Sequence, residues 1–237
     1  MQPARIAELL RPFLSSFSSA CHSEQDRRPG EEPAGPSAAL LQHISIYIDI
    51  LRRWNVRINL TAVRGEEEIV TRHFGESLFA ACRLFPAPPE TARPGARGAA
   101  LRVADLGAGA GFPGIPIKLW ARDISMTLIE SNQKKATFLR EVVRSLTLTD
   151  VNVINTRAEA VQQTFDLVTL RAVERFAQVL PVATRLLAPN ARLVLLIGSS
   201  QADEARAILP DLDWRDPLIV PGSKSRILLV GSSGPNE

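Results

Sequence analysis

Cysteine and histidine are scarce in this sequence, which has two cysteines and three histidines among its 237 residues. Cys21 and Cys82 cannot build a disulfide framework, and the histidines show no metal-ligand spacing, so we expect no metal site. The N-terminal segment lacks the apolar stretch of a signal peptide, and no apolar run approaches the ~20 residues that span a bilayer. These absences disfavour secreted, disulfide-stapled and transmembrane proteins. They predict a cytoplasmic globular protein that does not associate with membranes.

Lysine is scarce as well: it accounts for four of the 28 basic residues, and the remainder are arginine. Arginine suits phosphate contacts and base stacking, so the net charge of +3 allows a nucleic-acid partner. Coding bias explains the same composition equally well, and so small an excess does not by itself indicate RNA binding. A hydrophobic fraction of 45% and a charged fraction of 22% are typical of an ordinary globular chain.

Two stretches rich in proline, glycine and charge, residues 21–37 and 86–99, predict flexible loops. They suggest an N-terminal helical cap over residues 1–99 and a core over residues 100–237, packed as one compact unit. In the cap, apolar residues recur at helical spacing from Ala38 to Trp54 after a Pro36-Ser37 start. A second helix is expected from about Glu66 to Cys82.

After residue 100, short apolar runs alternate with helical patterns, which predicts βαβ units and a parallel sheet covered on both faces. The expected strands are 101–106, 125–130, 151–155, 165–170 and 192–197, with helical segments near 114–121, 132–146, 158–162 and 174–187. Near the C-terminus, runs 218–220 and 226–230 flank a turn-like stretch. We expect these two runs to form an antiparallel pair at the edge of the sheet.

A glycine-rich loop follows the first predicted strand, in the sequence VADLGAGAGFPG. Glycines at 107, 109 and 111 let the backbone turn sharply and approach a ligand. A dinucleotide fingerprint directly after the strand would need a third glycine where Phe112 stands. The pattern acid-x-G-x-G-x-G instead fits from Asp105 onward and resembles motif I of S-adenosylmethionine-dependent methyltransferases.

Further polar residues follow the next strands of the predicted sheet. Glu130 ends the second strand, where a carboxylate can accept hydrogen bonds from both ribose hydroxyls of a nucleoside cofactor. Ser131 is a candidate N-cap for the following helix. Ala158 and Glu159 follow the third strand, in the loop that usually lines an adenine pocket in this fold. Glu159 can equally be an exposed acid in the first turn of a helix.

The fourth strand ends at Arg171 without the Asn/Asp-Pro-Pro-aromatic motif that is frequent in amino-group methyltransferases. Neither cysteine is placed as the nucleophile that cytosine-C5 enzymes require. A ring nitrogen with a free lone pair, such as guanine N7, needs neither device, and catalysis can then rest on positioning. Arg171 is a candidate for holding a carboxylate of the cofactor or the substrate, or else a solvent-facing arginine at a strand end.

From about His43 to Ser199 the sequence resembles the bacterial small-subunit ribosomal RNA guanine-N7 methyltransferases, formerly called glucose-inhibited division protein B. The resemblance rests on W-N-x-x-I-N-L-T at 54–61, R-H-F at 72–74, S-L at 77–78, G-x-G-x-G-F-P-G-I-P at 107–116, Lys134 to Leu139, R-A-E at 157–159 and R-A-V at 171–173.

It implies a Rossmann-like class I S-adenosylmethionine-dependent methyltransferase fold of α/β type, with a mostly parallel central sheet, an antiparallel edge strand and N-terminal helices. It also implies methyl transfer to guanine N7 in the 530-loop region of 16S rRNA. The expected partner is 16S rRNA or the small ribosomal subunit, and we expect a monomer. Motif matching places cofactor contacts on Gly107, Phe112, Ala158, Glu159 and Arg171. An aromatic residue such as Phe112 can cover a ligand, or can simply be a core residue.

Two departures from the family pattern stand out. Ile197 precedes the glycine at the end of the fifth strand, where the family often has lysine. Phe74-Gly75-Glu76-Ser77 stands where Phe-Leu-Asp-Ser is frequent. In the cap, Asn59, Arg72 and His73 are candidates for substrate contact. The alternative is that Asn59 caps a turn and His73 is a core histidine with its hydrogen bonds satisfied.

Two other functions stay open. In the first, the protein has the same fold and cofactor but methylates a small molecule or a protein. This alternative predicts that the protein shows no salt-sensitive binding to RNA. The second is a non-catalytic RNA binder in ribosome assembly, against which the intact glycine loop and Glu130 argue. A nicotinamide enzyme is disfavoured by the glycine register.

Overall fold

The computed structural model describes residues 1–14, 36–85, 100–172 and 175–234. The expected loops at 21–37 and 86–99 lie outside these ranges, except for Pro36 and Ser37. In the described parts of the chain, no helix is long and apolar enough to cross a membrane. The same parts contain no group of three or more His, Cys, Asp or Glu side chains that could hold a metal ion.

One mixed sheet forms the centre of the molecule, in the strand order β3-β2-β1-β4-β5-β8-β6, with β7 also paired to β8. The strands are β1 (Arg102–Leu106), β2 (Ser125–Ile129), β3 (Val151–Ile154), β4 (Phe165–Arg171), β5 (Leu187–Gly198), β6 (Asp213–Trp214), β7 (Leu218–Ile219) and β8 (Arg226–Ser232). The first five are parallel, and β8 runs antiparallel to β5. This arrangement confirms the expected mostly parallel α/β sheet with antiparallel strands at one side.

The C-terminal strands correct one expectation. Leu218 pairs antiparallel with Leu228, as predicted, but β8 does not lie at the edge. It runs between β5 and β6, because it pairs with β5 from Arg192 to Gly198 and with β6 on its other side. The longer β8, with its apolar run Ile227–Val230, is therefore flanked by other strands, and the two-residue strands β6 and β7 lie outside it.

The helices are α1 (Pro3–Leu14), α2 (Ala38–Ile58), α3 (Glu66–Glu68), α4 (Glu76–Leu84), α5 (Gly114–Trp120), α6 (Gln133–Ser145), α7 (Phe176–Arg185) and α8 (Ala202–Ile208). The hydroxyl of Ser37 accepts a hydrogen bond from the backbone N–H of Leu40 and caps α2, as the Pro36-Ser37 start predicted. The expected cap at Ser131 was wrong. Asn132 caps α6 instead, because its side chain accepts from the N–H groups of Lys134 and Lys135.

The helix predicted from Glu66 is present but not uniform. Between α3 and α4, Ile69–Gly75 forms a π-helical segment, in which the backbone is wound more widely than in an α-helix. Such segments are uncommon and occur frequently at functional sites. Near 158–162 the structure has only a single 3₁₀ turn, Ala158–Ala160, in place of the expected helix.

The cap helices and one face of the sheet share a single cluster of buried side chains. It joins Leu10 of α1, Ile48 of α2 and Leu78 of α4 to Val103 and Leu128 of the sheet. A second cluster lies on the other face, between the sheet and α7 and α8. Each fully buried aliphatic side chain contributes about 1.5–3 kcal/mol, so the cap is held against the sheet by the hydrophobic effect.

Candidate active site

The glycine loop leaves β1 at the carboxyl edge of the parallel strands, where open α/β sheets bind ligands. Gly107, Gly109 and Gly111 all have positive φ, at 64°, 53° and 82°. A Cβ at Gly111 would collide with the hydroxyl of Tyr47 and the side chain of Ile115. At Gly109 a Cβ would meet only the carbonyl oxygen of Gly107, at 3.6 Å. Gly111 is therefore required for packing, whereas Gly109 faces open space.

Two carboxylates, those of Asp105 and Glu130, accept hydrogen bonds from the backbone of the glycine loop and of the residues that follow it. Asp105 is buried, and its oxygens accept from the Thr169 hydroxyl at 2.7 Å and from the Gly114 N–H at 3.0 Å. Burial raises the pKa of Asp105 to about 7. Glu130 accepts from the N–H groups of Gly109 at 2.9 Å and Asn132 at 2.7 Å. Each Glu130 oxygen keeps a second lone pair, so the carboxylate can still accept hydrogen bonds from a ligand.

Three rings are stacked beside the loop. Phe112 is stacked on Tyr47 at 5.3 Å between ring centroids and on His73 at 4.8 Å. Tyr47, the one tyrosine of the chain, donates its hydroxyl hydrogen to the carbonyl oxygen of Ala110 within the loop. Phe112 is only 7% exposed, so in this structure it is a core residue between two rings.

His73 belongs to the π-helical segment, and its ring has one hydrogen-bond partner in the described structure. Its Nε2 lies 2.7 Å from the hydroxyl oxygen of Thr61, which also accepts from the N–H of Val63 at 3.1 Å. Its Nδ1 is buried without a partner among the described residues. Burial, with smaller contributions from Arg171, Arg72 and Arg226, lowers the pKa of His73 to about 3, so the ring is neutral.

Arg171, at the end of β4, is buried in an ion-pair network and does not face solvent. One guanidinium nitrogen, Nη2, donates to the Glu76 carboxylate at 3.0 Å and to the carbonyl oxygen of Arg72 at 2.6 Å. The Nε of Arg226, at the start of β8, donates to the same Glu76 oxygen at 2.9 Å. The network therefore joins α4, β4 and β8. Burial lowers the pKa of Arg171, and the Glu76 charge opposes that shift.

The other predicted site residues are less central. Ala158 and Glu159 lie in the 3₁₀ turn after β3, and the exposed Glu159 offers its carbonyl oxygen to Arg185. Arg72 turns its side chain outward to pair with Glu68 at 2.9 Å. Asn59 is exposed and ends α2 in the left-handed conformation, with a φ of 48°. Only the carbonyl of Arg72 reaches the buried network.

One departure from the family pattern has a structural explanation. Ile197 is buried in the cluster between the sheet and helices α7 and α8, and it pairs with Ile227 of the neighbouring strand β8. A lysine at this position would have to turn its charge out of an apolar cluster.

Sequence reasoning missed three residues of this site: Tyr47, Glu76 and Arg226. The sequence pattern treats Tyr47 only as one apolar position of the helix predicted from Ala38 to Trp54. A hydroxyl on an otherwise aliphatic face indicates a buried hydrogen bond, and this signal could have identified the residue. Glu76 was noticed only as a departure from the family pattern. Its burial, among Leu78, Phe79 and alanines, marks it as a paired charge.

The site fits S-adenosylmethionine on three observations. The Gly109 position is open where a ligand would approach the backbone. The Glu130 carboxylate stands at the end of β2 with lone pairs free for hydroxyl donors. The Nε of Arg171 is a buried donor without an acceptor among the residues that the structure describes.

Solved structures share this architecture. Magnesium protoporphyrin IX methyltransferase of Synechocystis PCC 6803, with bound SAH, superposes with a TM-score of 0.58 at 12% identity, over 81% of this chain and 100% of its own. The ribosomal protein L11 methylase of Lactobacillus delbrueckii gives 0.54 at 17% identity, over 68% of this chain and 79% of its own. The sheet order and the glycine loop thus define a methyltransferase fold.

Sequence relatives identify the family within that class. The model of the rRNA small subunit methyltransferase G family matches residues 40–211. Proteins named ribosomal RNA small subunit methyltransferase G are 37% identical in Stenotrophomonas maltophilia K279a (85% of this chain, 90% of the relative) and 36% identical in Roseiflexus sp. RS-1 (80% and 82%). The chain belongs to the rRNA small subunit methyltransferase G family, which confirms the resemblance seen in the sequence.

Proposed function

We propose that the protein transfers a methyl group from S-adenosylmethionine to N7 of a guanine in the 530-loop region of 16S rRNA. The observation that carries this proposal is the family match over residues 40–211, which includes the glycine loop, His73 and Arg171. Family membership confirms the reaction class, the cofactor and the rRNA substrate expected from the sequence.

The chemistry of the site supports a reaction without a general base. Guanine N7 carries a lone pair and no proton, so no group has to accept a proton before methylation. Glu76 is paired with two arginines, and both oxygens of Asp105 are engaged beneath the loop. The Nε2 of His73 is occupied by the Thr61 hydroxyl. Catalysis then consists of holding the two reactants in line and excluding water.

Each part of the cofactor has a candidate partner. Gly107, Gly109 and Gly111 would give it close approach to the backbone, and Glu130 would accept from its ribose hydroxyls. Ala158 and Glu159 would line the adenine, Arg171 would hold the carboxylate through its free Nε, and Phe112 would lie beside the ligand. When bound, S-adenosylmethionine supplies an electrophilic methyl group on a sulfonium.

The partner in this proposal is 16S rRNA, presented as RNA or within the small subunit. Asn59, Arg72 and His73 are the candidates for contact with it. Arg72 and Asn59 both have exposed side chains, and Arg72 would exchange its contact with Glu68 for one with RNA. We place the reaction in the cytoplasm, and we propose that the protein acts as a monomer.

The test uses small subunits from cells that lack this modification. They are incubated with the protein and labelled S-adenosylmethionine, and the methylated nucleotide is mapped by nuclease digestion and mass spectrometry. We expect one 7-methylguanine in the 530-loop fragment. Label in protein or small molecules but not in RNA would contradict the proposal, and so would absence of cofactor binding by calorimetry.

A matched pair of variants links the reaction to the loop. Gly109→Asp adds a side chain at a positive-φ position that faces open space, so the protein should fold and lose methylation. Gly222→Asp makes the same change at φ 74°, where a Cβ would have nothing within 4 Å, in the turn between β7 and β8. The second variant should keep its activity.

A further inference from the structure

Two polar atoms at the candidate site are buried without a hydrogen-bond partner among the described residues: Nδ1 of His73 and Nε of Arg171. Buried polar groups are nearly always paired, so each unpaired atom calls for an explanation. Under the proposed function, the Nε of Arg171 binds the carboxylate of the cofactor. The Nδ1 of His73 has no role in that arrangement.

The hydrogen bonds around His73 indicate which ring nitrogen carries the proton. If Nδ1 is protonated, Nε2 accepts from the Thr61 hydroxyl, and only Nδ1–H remains unpaired. If Nε2 is protonated, the Thr61 hydroxyl must accept from both Nε2–H and the Val63 N–H. The hydrogen of the Thr61 hydroxyl and the Nδ1 of His73 would then both lack partners. The first tautomer leaves fewer groups unpaired, so His73 presents a donor at Nδ1.

We propose that the Nδ1–H of His73 donates a hydrogen bond to O6 of the guanine whose N7 is methylated. This inference rests on the proposed function and assigns a substrate-recognition role within it. On the major-groove edge of guanine, N7 and O6 are adjacent acceptors. A donor bonded to N7 would occupy the lone pair that must attack, whereas a donor bonded to O6 fixes the base and leaves N7 free.

The electrostatics of His73 suit this role. The methyl donor is a cation, and positive charge moves onto the guanine ring as N7 is methylated. A protonated imidazolium beside N7 would oppose that transfer. The ring of His73 stays neutral because it is buried and lies near Arg171, Arg72 and Arg226. Thr61 and the stacking on Phe112 fix its orientation.

Three substitutions separate the donor from the ring. His73→Asn keeps an amide donor close to the Nδ1 position, His73→Gln places its amide close to Nε2, and His73→Phe keeps only the stacked ring. We expect the Phe and Gln variants to lose about 10- to 100-fold in kcat/KM for small subunits. The Asn variant should recover most of that loss, and Kd for S-adenosylmethionine should change less than twofold in all three.

His43 supplies the control variant, because its Nδ1 is also buried without a partner in the described parts of the chain, and burial also lowers its pKa. The positive charge of Arg122 also lowers the pKa of His43. Arg122 lies just before β2, at the opposite end of the sheet from the glycine loop. His43→Phe should leave methylation of small subunits unchanged. Loss of activity in this variant would show that removing any partly buried histidine is enough to impair the enzyme.

Thr61 provides a second test through a double-mutant cycle. Thr61→Val removes the hydroxyl that holds His73 in the Nδ1–H tautomer, so it should lower kcat/KM in the wild-type background. In the His73→Asn background, which has no tautomers, Thr61→Val should have little further effect. Equal losses in both backgrounds would reduce Thr61 to a structural role and overturn this part of the inference.

The outcomes distinguish the inference from the proposed function. If the wild-type protein produces no 7-methylguanine in small subunits, the proposed function fails. If it does, and His73→Asn is as impaired as His73→Phe, a donor close to the Nδ1 position does not restore the reaction, and the inference fails. A parallel rise in Kd for S-adenosylmethionine would show that Nδ1–H serves the cofactor, which also overturns it.

Discussion

The ring of Phe13 in α1 packs directly against the backbone of Gly75 in the π-helical segment. A Cβ at Gly75 would lie 2.6 Å from the ring, too close for any side chain unless Phe13 moves. In the Phe-Leu-Asp-Ser pattern of the family that the sequence resembles, leucine is the expected residue here. The absence of a side chain at 75 therefore makes room for α1, whose Phe13 fills the space.

Gly75→Leu should destabilise the protein by about 1–3 kcal/mol, because it overpacks a filled site. The measurement is urea unfolding of the single variants, Gly75→Leu and Phe13→Ala, and of the double variant. Because the leucine would refill the cavity left by Phe13→Ala, the double variant should be less destabilised than the sum of the two. Strict additivity would mean that Phe13 and position 75 do not share this space.

Tyr47→Phe should weaken cofactor binding while leaving the fold intact. Phenylalanine keeps the stacking on Phe112 but leaves the carbonyl of Ala110 without its donor, which loosens the glycine loop. Loss of one such hydrogen bond corresponds to about a 2- to 10-fold rise in Kd for S-adenosylmethionine. Calorimetry measures Kd, and near-ultraviolet circular dichroism checks the packing. An unchanged Kd would argue that the loop holds its shape without Tyr47.

Glu76→Gln should destabilise the protein by about 3–5 kcal/mol, because Arg171 and Arg226 lose the one charge that compensates both. Glu76→Asp keeps the charge on a side chain shorter by one methylene and should be intermediate, since it cannot reach both arginines equally. Thermal unfolding gives the order. If Glu76→Gln is as stable as the wild type, the two arginines have found water or other partners, and the network is not needed for the fold.

His73 makes stability depend on pH in a defined direction. Its pKa is about 3 in the folded state against an ordinary value of 6.5, so below pH 6.5 the unfolded chain binds a proton that the folded protein refuses. Its contribution to stability is therefore complete above pH 6.5 and is lost as the pH falls toward 3. The loss is about 1.4 kcal/mol per pH unit.

The difference between wild type and His73→Asn isolates this effect, because other groups cancel in the comparison. Asp105, whose pKa is raised to about 7 from 3.8, acts in the opposite direction: its burial destabilises the fold as the pH rises through that interval. We expect the wild type to lose stability relative to His73→Asn between pH 6 and 4 in urea unfolding. Parallel curves would mean that His73 becomes protonated without cost in the folded protein.

The glycine loop and the sheet could be predicted because their signals are local. The acid-x-G-x-G-x-G spacing and the apolar runs of β1 to β4 each fall within a few residues. The network around Glu76 could not, because its partners Arg171 and Arg226 lie 95 and 150 residues away along the chain.

The other differences arise from competition between neighbouring groups. Asn132 outcompetes Ser131 as the cap of α6, because its side chain reaches two N–H groups. The helical pattern that starts at Glu66 predicts a regular helix and does not indicate the π-helical segment, which only the backbone of the structure shows. The expected division at residue 99 and the roles of the individual site residues stay predictions.

The place of β8 between β5 and β6 bears on how the protein is made. During translation, β5 is synthesised before β8, its neighbour on one side. The edge of β5 that pairs with β8 stays uncovered until residues 226–232 emerge from the ribosome. Arg226 belongs to that same last strand and completes the charge network around Glu76. The nascent chain is therefore most prone to aggregate while β5 is made and residues 226–232 are not, and the charge network around Glu76 is completed only when they emerge.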